Sequence, residues 1–158
     1  MNLKVIPMNH FVALEILSWR YETPYDLYNI VLNDEEVNEK LNGSYQAIFD
    51  EDKQIILGFF CTGLSAQVPA GKAADVYKEQ YIDIGLGMSP EYTGKGCGTE
   101  FLSFIIKELK QMHPDSLLRL TVAVFNKRAI RLYEKMGFYK KDEFSSSTVR
   151  FITMIQKS

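Results

Sequence analysis

Cysteine and histidine are scarce in this 158-residue chain, with two of each, and neither pair has a spacing that chemistry would use. Cys61 lies in an apolar run and Cys97 among glycines. Their separation fits no disulfide framework and no zinc motif, so two free thiols are expected. His10 and His113 have no second histidine at i+3 or i+4 and no neighbouring cysteine, so no metal site is expected. An excess of one charge is lacking as well: 18 Lys and Arg against 20 Asp and Glu leave a net charge of -2. Nothing therefore marks a surface for gripping a nucleic-acid backbone. No apolar run approaches the roughly 18 residues of a membrane span. The start, Met1-Asn2-Leu3-Lys4-Val5-Ile6, lacks the features of a secretory signal. A soluble, cytoplasmic protein with no membrane and no nucleic-acid partner is expected. Internal repeats, low-complexity segments and linkers are also missing. With 46% hydrophobic residues the chain has enough apolar material for one core, and a single domain over residues 1–158 follows.

The patterning that is present alternates between periods of two and 3.6 residues. Residues 2 to 7 read as a strand, and Phe11, Leu14, Ile16 and Leu17 as the apolar stripe of a following helix. Leu27, Ile30 and Val31 suggest a second helix before the acidic Asp34-Glu35-Glu36 segment. Tyr45–Phe49 and Ile55–Phe60 form β-rich runs around a charged turn, the pattern of an antiparallel hairpin. Leu64 to Ala74 reads as a loop, and Tyr81 to Met88 as a strand. Leu102, Ile105, Ile106, Leu109 and Met112 recur at helical spacing until Pro114. Leu118 to Val124 is another strand. Asn126 is a good N-cap for a helix carrying Ala129, Ile130, Tyr133 and Met136, with Gly137 as its left-handed terminator. Phe138 to Phe144 and Thr148 to Ile155 complete a final hairpin.

Gly94-Lys95-Gly96-Cys97-Gly98-Thr99 falls between a predicted strand and a predicted helix. Glycines there let backbone amides converge on an anion while the helix dipole adds positive potential. A tight strand-to-helix turn would use the same residues. A P-loop is excluded because Lys95 is followed by Gly96 where Ser or Thr is required. The dinucleotide fingerprint fails because Thr99 stands where its third glycine belongs.

The segment Thr93-Gly94-Lys95-Gly96-Cys97-Gly98 resembles the pyrophosphate arm of the GNAT (Gcn5-related N-acetyltransferase) superfamily, written Q/R-x-x-G-x-G/A. Thr93 departs from it, standing where the family carries Gln or Arg. Val124 to Phe138 resembles the second, more specific family signature in its Asn126, Ala129, Tyr133 and Gly137-Phe138. Together these motifs cover residues 80 to 138. The resemblance implies the GNAT fold: an α/β mixture with about seven mostly antiparallel strands and four flanking helices. It implies acetyl-CoA as cosubstrate, with pyrophosphate on Thr93, Gly94, Lys95, Gly96, Cys97, Gly98 and Thr99. Pantetheine would lie along Leu86, Gly87 and Met88 and near Asn126 and Ala129. By the same resemblance Tyr133 would protonate the departing CoA thiolate.

Acyl transfer to an amine also needs a neutral nucleophile and hence a base. Asp83 is the first candidate, because Ile82 and Ile84 should occupy the opposite strand face and leave its carboxylate outward. A structural hydrogen-bond acceptor is the alternative reading. Glu22 is the second candidate; it lies in the aromatic and acidic segment Trp19 to Asp26, which the resemblance puts over the acceptor. Asn126 also reads as an N-cap and Tyr133 as a core aromatic. The expected reaction is direct acetyl transfer to a primary amine of a small molecule or peptide, with no acyl-enzyme on Cys97. A non-catalytic CoA-binding module is the rival reading. An exposed sheet edge would allow a homodimer.

Overall fold

Asn9 and Asn33 set where the N-terminal helices begin. The computed structural model describes residues 1–157. Strand β1 (Leu3–Pro7) leads to α1 (His10–Ser18), whose first turn is capped by the Asn9 side chain accepting from the Val12 amide at 2.9 Å. Val12, Ala13, Ile16 and Leu17 are the buried face of α1, whereas Phe11 is 81% exposed. The apolar stripe is thus rotated by one residue from the one the spacing suggested. Adjacent apolar residues at positions 11 to 14 leave the choice of face to the packing partner.

The second helix also differs from expectation. Tyr25–Tyr28 makes only a single 3-10 turn, and Leu27, Val31 and Leu32 are exposed. Helix α2 instead covers Asp34–Lys40, with the Asn33 side chain accepting from the Glu36 amide at 2.8 Å. The acidic run is its first turn, where negative side chains complement the positive end of the helix dipole.

Strands β2 (Tyr45–Asp50) and β3 (Ile55–Thr62) form the expected antiparallel hairpin, with a register shift at Ile48/Phe49. Residues 63 to 74 hold a 3-10 turn, Gly63–Ala66, and the five-residue helix α3 (Pro69–Ala73) in place of an irregular loop. Pro69 supplies its start, since proline at the first helical position loses no needed donor. β4 (Ile82–Met88), α4 (Gly98–Met112), β5 (Leu118–Ala123) and α5 (Lys127–Lys135) follow, then the hairpin β6 (Phe138–Ser145) and β7 (Arg150–Gln156).

The seven strands run in the order β1-β2-β3-β4-β5-β7-β6. The pairing of β4 with β5 is parallel and covers three positions, Ile82 with Leu118, Asp83 with Arg119 and Ile84 with Leu120. The β1–β2, β2–β3, β5–β7 and β6–β7 pairings are antiparallel. This is a mixed α/β fold with a mostly antiparallel sheet and four main helices, α1, α2, α4 and α5.

The chain divides into two compact units. The first comprises residues 1–61 and 86–95, and its core gathers Val12, Ile16 and Ala47 with Ile6, Met8, Trp19, Ile56 and Phe59 packed against them. The second comprises residues 62–85 and 96 onward. There α4 buries Phe101, Leu102, Ile105 and Leu109, one face of an amphipathic helix. Ile105→Ala should lower unfolding free energy by about 2–5 kcal/mol, through lost apolar burial and the remaining void. Denaturant unfolding followed by circular dichroism measures it.

Candidate active site

The glycine loop has the backbone its composition requires. Gly94 has φ +73° and Gly96 φ +81°, conformations that L side chains resist. A turn precedes it, in which the Tyr92 amide donates to the Ser89 carbonyl at 2.9 Å and the Thr93 hydroxyl to the Pro90 carbonyl at 3.0 Å. Thr93 is therefore bonded within its own turn. Gly98 opens α4, and no side chain caps that helix through a hydrogen bond. An uncapped helix start directs unsatisfied amides outward and carries the positive end of the dipole. Gly98 itself serves packing, since a Cβ there would lie 3.0 Å from Leu132 Cδ2 on α5. Cys97 is partly buried and Cys61 buried, both as free thiols.

On β4, Gly87 is pressed against an aromatic ring: a Cβ there would sit 2.4 Å from Phe59 Cε1. That close approach accounts for glycine at position 87 on packing grounds alone. The Met88 carbonyl accepts a 2.6 Å hydrogen bond from the Tyr21 hydroxyl. Tyr21 is in turn fixed by Asn29, whose side-chain oxygen accepts from the Tyr21 amide at 2.7 Å. Burial pushes the Tyr21 phenol up to about 12. The sequence marked this aromatic segment but did not single out Tyr21; its signal was a tyrosine among polar residues.

Glu22, next to Tyr21, is exposed. Its main-chain carbonyl accepts from the Tyr25 amide at 2.7 Å.

Asp83 is not placed as expected. It is 4% exposed, and its carboxylate turns inward onto Arg119, with Oδ1 2.6 Å from Nε and Oδ2 2.9 Å from Nη2. Gln67 Nε2 adds a third hydrogen bond to Oδ2 at 2.9 Å. The alternation argument fails because Ile84 is buried too: β4 is an interior strand, and parallel strands are covered on both faces. Arg119 is 2% exposed and lies near the rings of Tyr77 and Tyr81, at 5.0 and 5.2 Å from their centroids. Burial opposes its charge, but the hydrogen bonds and negative charge of Asp83 outweigh this and raise its pKa. A charged residue inside the β-run Leu118 to Val124 was the sequence signal for this pair.

On α5 the Asn126 side-chain oxygen accepts from the Ala129 amide at 3.1 Å, the cap expected of it. Tyr133 is the buried residue of this helix, edge-on to Phe138 at 6.3 Å. Gly137, at φ +94°, ends the helix. Among the described residues no three His, Cys, Asp or Glu side chains are grouped to hold a metal ion. No described helix is long and apolar enough to cross a membrane.

The GNAT acetyltransferase family model matches residues 12–138, so the chain belongs to the GNAT family of acetyl-CoA-dependent N-acyltransferases. Solved structures share its fold. A chimera of the Vibrio cholerae spermidine N-acetyltransferase SpeG with hSSAT is 16% identical, with a TM-score of 0.73 over 99% of this chain and 95% of that one. AAC(6')-Ib solved with paromomycin and acetyl-CoA is 17% identical, with a TM-score of 0.72 over 99% of this chain and 94% of that one. An uncharacterized protein from Bacillus halodurans is 19% identical, with a TM-score of 0.75 over 98% of this chain and 83% of that one. No curated protein matches the chain by sequence.

Arg119→Ala should destabilise the protein by about 3–5 kcal/mol, because it strands the buried Asp83 charge. Adding Asp83→Leu should recover most of that loss in the same unfolding assay. Tyr21 gives a pH signature. Its folded pKa is raised above the ordinary value near 10, so the unfolded chain loses that proton first as pH rises. Stability should then fall between about pH 10 and about pH 12. The wild-type minus Tyr21→Phe difference in unfolding free energy should decline across this window and be level below it.

Proposed function

We propose that this protein transfers an acetyl group from acetyl-CoA directly to a primary amine of a small molecule or peptide. The observation that carries this reading is the run of left-handed Gly94 and Gly96 into the uncapped start of α4. Such a backbone offers N–H groups and helix-dipole potential to a pyrophosphate. The residues assigned to it are Thr93, Gly94, Lys95, Gly96, Cys97, Gly98 and Thr99. Thr93 contributes main chain, since its hydroxyl is bonded to Pro90.

Acetyl-CoA supplies an activated thioester. Leu86, Gly87 and Met88 are assigned to its pantetheine arm through their backbone, and Asn126 and Ala129 through the first turn of α5. The Asn126 side-chain oxygen is used by the cap, so any contact from that side chain falls to its amide nitrogen. Tyr133 is assigned as the acid that protonates the leaving thiolate. Of the two carboxylates considered as base, Glu22 is the one open to solvent, and it takes the amine proton directly or through water. Asp83, closed onto Arg119 and Gln67, holds structure instead. Glu22 and Asp26 beside Tyr21, Tyr25 and Tyr28 suit a cationic acceptor. The spermidine enzyme among the similar folds has such a substrate. Cys97 takes no covalent part.

Thioester consumption across a panel of polyamines, aminoglycosides and peptide amines tests the proposal. Amine-dependent release of CoA with at least one class is expected. Acetyl-CoA binding without any amine-dependent release would favour a non-catalytic CoA-binding module. Tyr133→Phe should lower kcat with the affinity for acetyl-CoA nearly intact, because only the proton donor is removed. An unchanged rate under saturating substrates, with chemistry rate-limiting, contradicts the acid assignment.

A further inference from the structure

Lys40 is a lysine that the proposed chemistry does not use. It ends α2 and is only 4% exposed, although lysines seldom leave solvent. Its ammonium lies over the ring of Tyr45, 4.5 Å from the centroid, and 5.7 Å from that of Phe59. Trp19 and Tyr45 flank Phe59, with ring centroids 6.3 and 6.0 Å away. The amine thus sits in an aromatic box, and the same Phe59 ring presses on Gly87 of β4. Beside the box is a cavity of about 430 Å³, lined by Lys40, Tyr45, Gln46, Leu41 and the β1 residues Val5 to Pro7, among others. All of these residues belong to the first compact unit.

We propose that Lys40 is an internal acyl acceptor, acetylated by the acetyl-CoA bound to its own chain. The inference rests on the acetyl-CoA reading of the loop and of Leu86 to Met88. In the step, the neutral Lys40 nitrogen forms an amide bond to the acetyl carbonyl carbon and the thioester C–S bond breaks. The nitrogen's proton passes to solvent, and the thiolate takes up a proton to leave as CoA. Two features favour it. Burial lowers the Lys40 pKa and so raises the neutral, nucleophilic fraction; Glu36, Cys61 and Glu39 oppose that lowering without cancelling it. Acetylation also replaces a buried charge with a neutral amide, a better occupant for a box of rings. Tyr45, whose hydroxyl contacts Glu39 Oε1 at 3.4 Å, is the remaining titratable group at the amine.

The test incubates the whole protein with acetyl-CoA at neutral pH without an acceptor amine, then maps acetyl-lysine by peptide mass spectrometry. Lys72 and Lys107, both exposed, are the internal references. Isothermal titration of the same sample reports acetyl-CoA binding independently. Lys40 should be acetylated severalfold ahead of the references. That lead should narrow as pH rises toward the ordinary lysine range, where the references deprotonate as well. Lys40→Arg should abolish the leading site and keep the binding isotherm. Acetyl-CoA binding with Lys40 no further acetylated than Lys72 and Lys107 overturns the assignment alone. Absence of binding overturns the reading of the loop, and this inference with it.

Discussion

The buried pair of Asp83 and Arg119 is the constraint on which the second compact unit is organised. It joins β4 to β5 at the middle of their three-position parallel pairing, where few main-chain bonds hold the strands. The Arg119 guanidinium also reaches the Val76 and Glu79 carbonyls at 3.3 and 3.4 Å, and the Asp83 carboxylate holds Gln67. One ion pair thereby ties two strands to the segment between α3 and β4. Desolvating both charges is expensive, and geometry of this quality with several added hydrogen bonds is what makes it tolerable. The same bonding keeps Asp83 out of proton transfer.

In the first compact unit the corresponding device is aromatic. Phe59 fills the space that a side chain at position 87 would need, and Tyr21 ties the segment after α1 to the Met88 carbonyl. Trp19, Tyr45 and Phe59 then enclose the Lys40 ammonium, whose burial would otherwise be costly. Packing around one glycine and hydrogen bonding to one carbonyl thus fix the strand end that the proposed mechanism assigns to pantetheine.

Much of this was legible in the sequence because it depends on local chemistry. The β2–β3 hairpin, α4, and α5 with its Asn126 cap and Gly137 terminator follow from period, turn residues and capping. The glycine loop and the signature from Val124 to Phe138 led to the GNAT family before any fold was known. What escaped depends on long-range partners or on competing local signals. The apolar spacing of Leu27, Ile30 and Val31 looked helical, yet Asn33 and three acidic residues formed the stronger helix start. Phe11 was taken for core, but α1 turns Val12 and Ala13 inward. Asp83 looked outward-facing because strand alternation says nothing about a partner 36 residues away. The burial of Lys40 had no sequence signal apart from the aromatic content of β2 and β3.

The central claim is that the backbone from β4 into α4 holds acetyl-CoA. Isothermal titration of the purified protein with acetyl-CoA, and separately with ATP and NAD, tests it most directly. The account predicts saturable micromolar binding of acetyl-CoA and no heat with the other two. Binding of ATP or NAD in its place, or no response to acetyl-CoA, would contradict it.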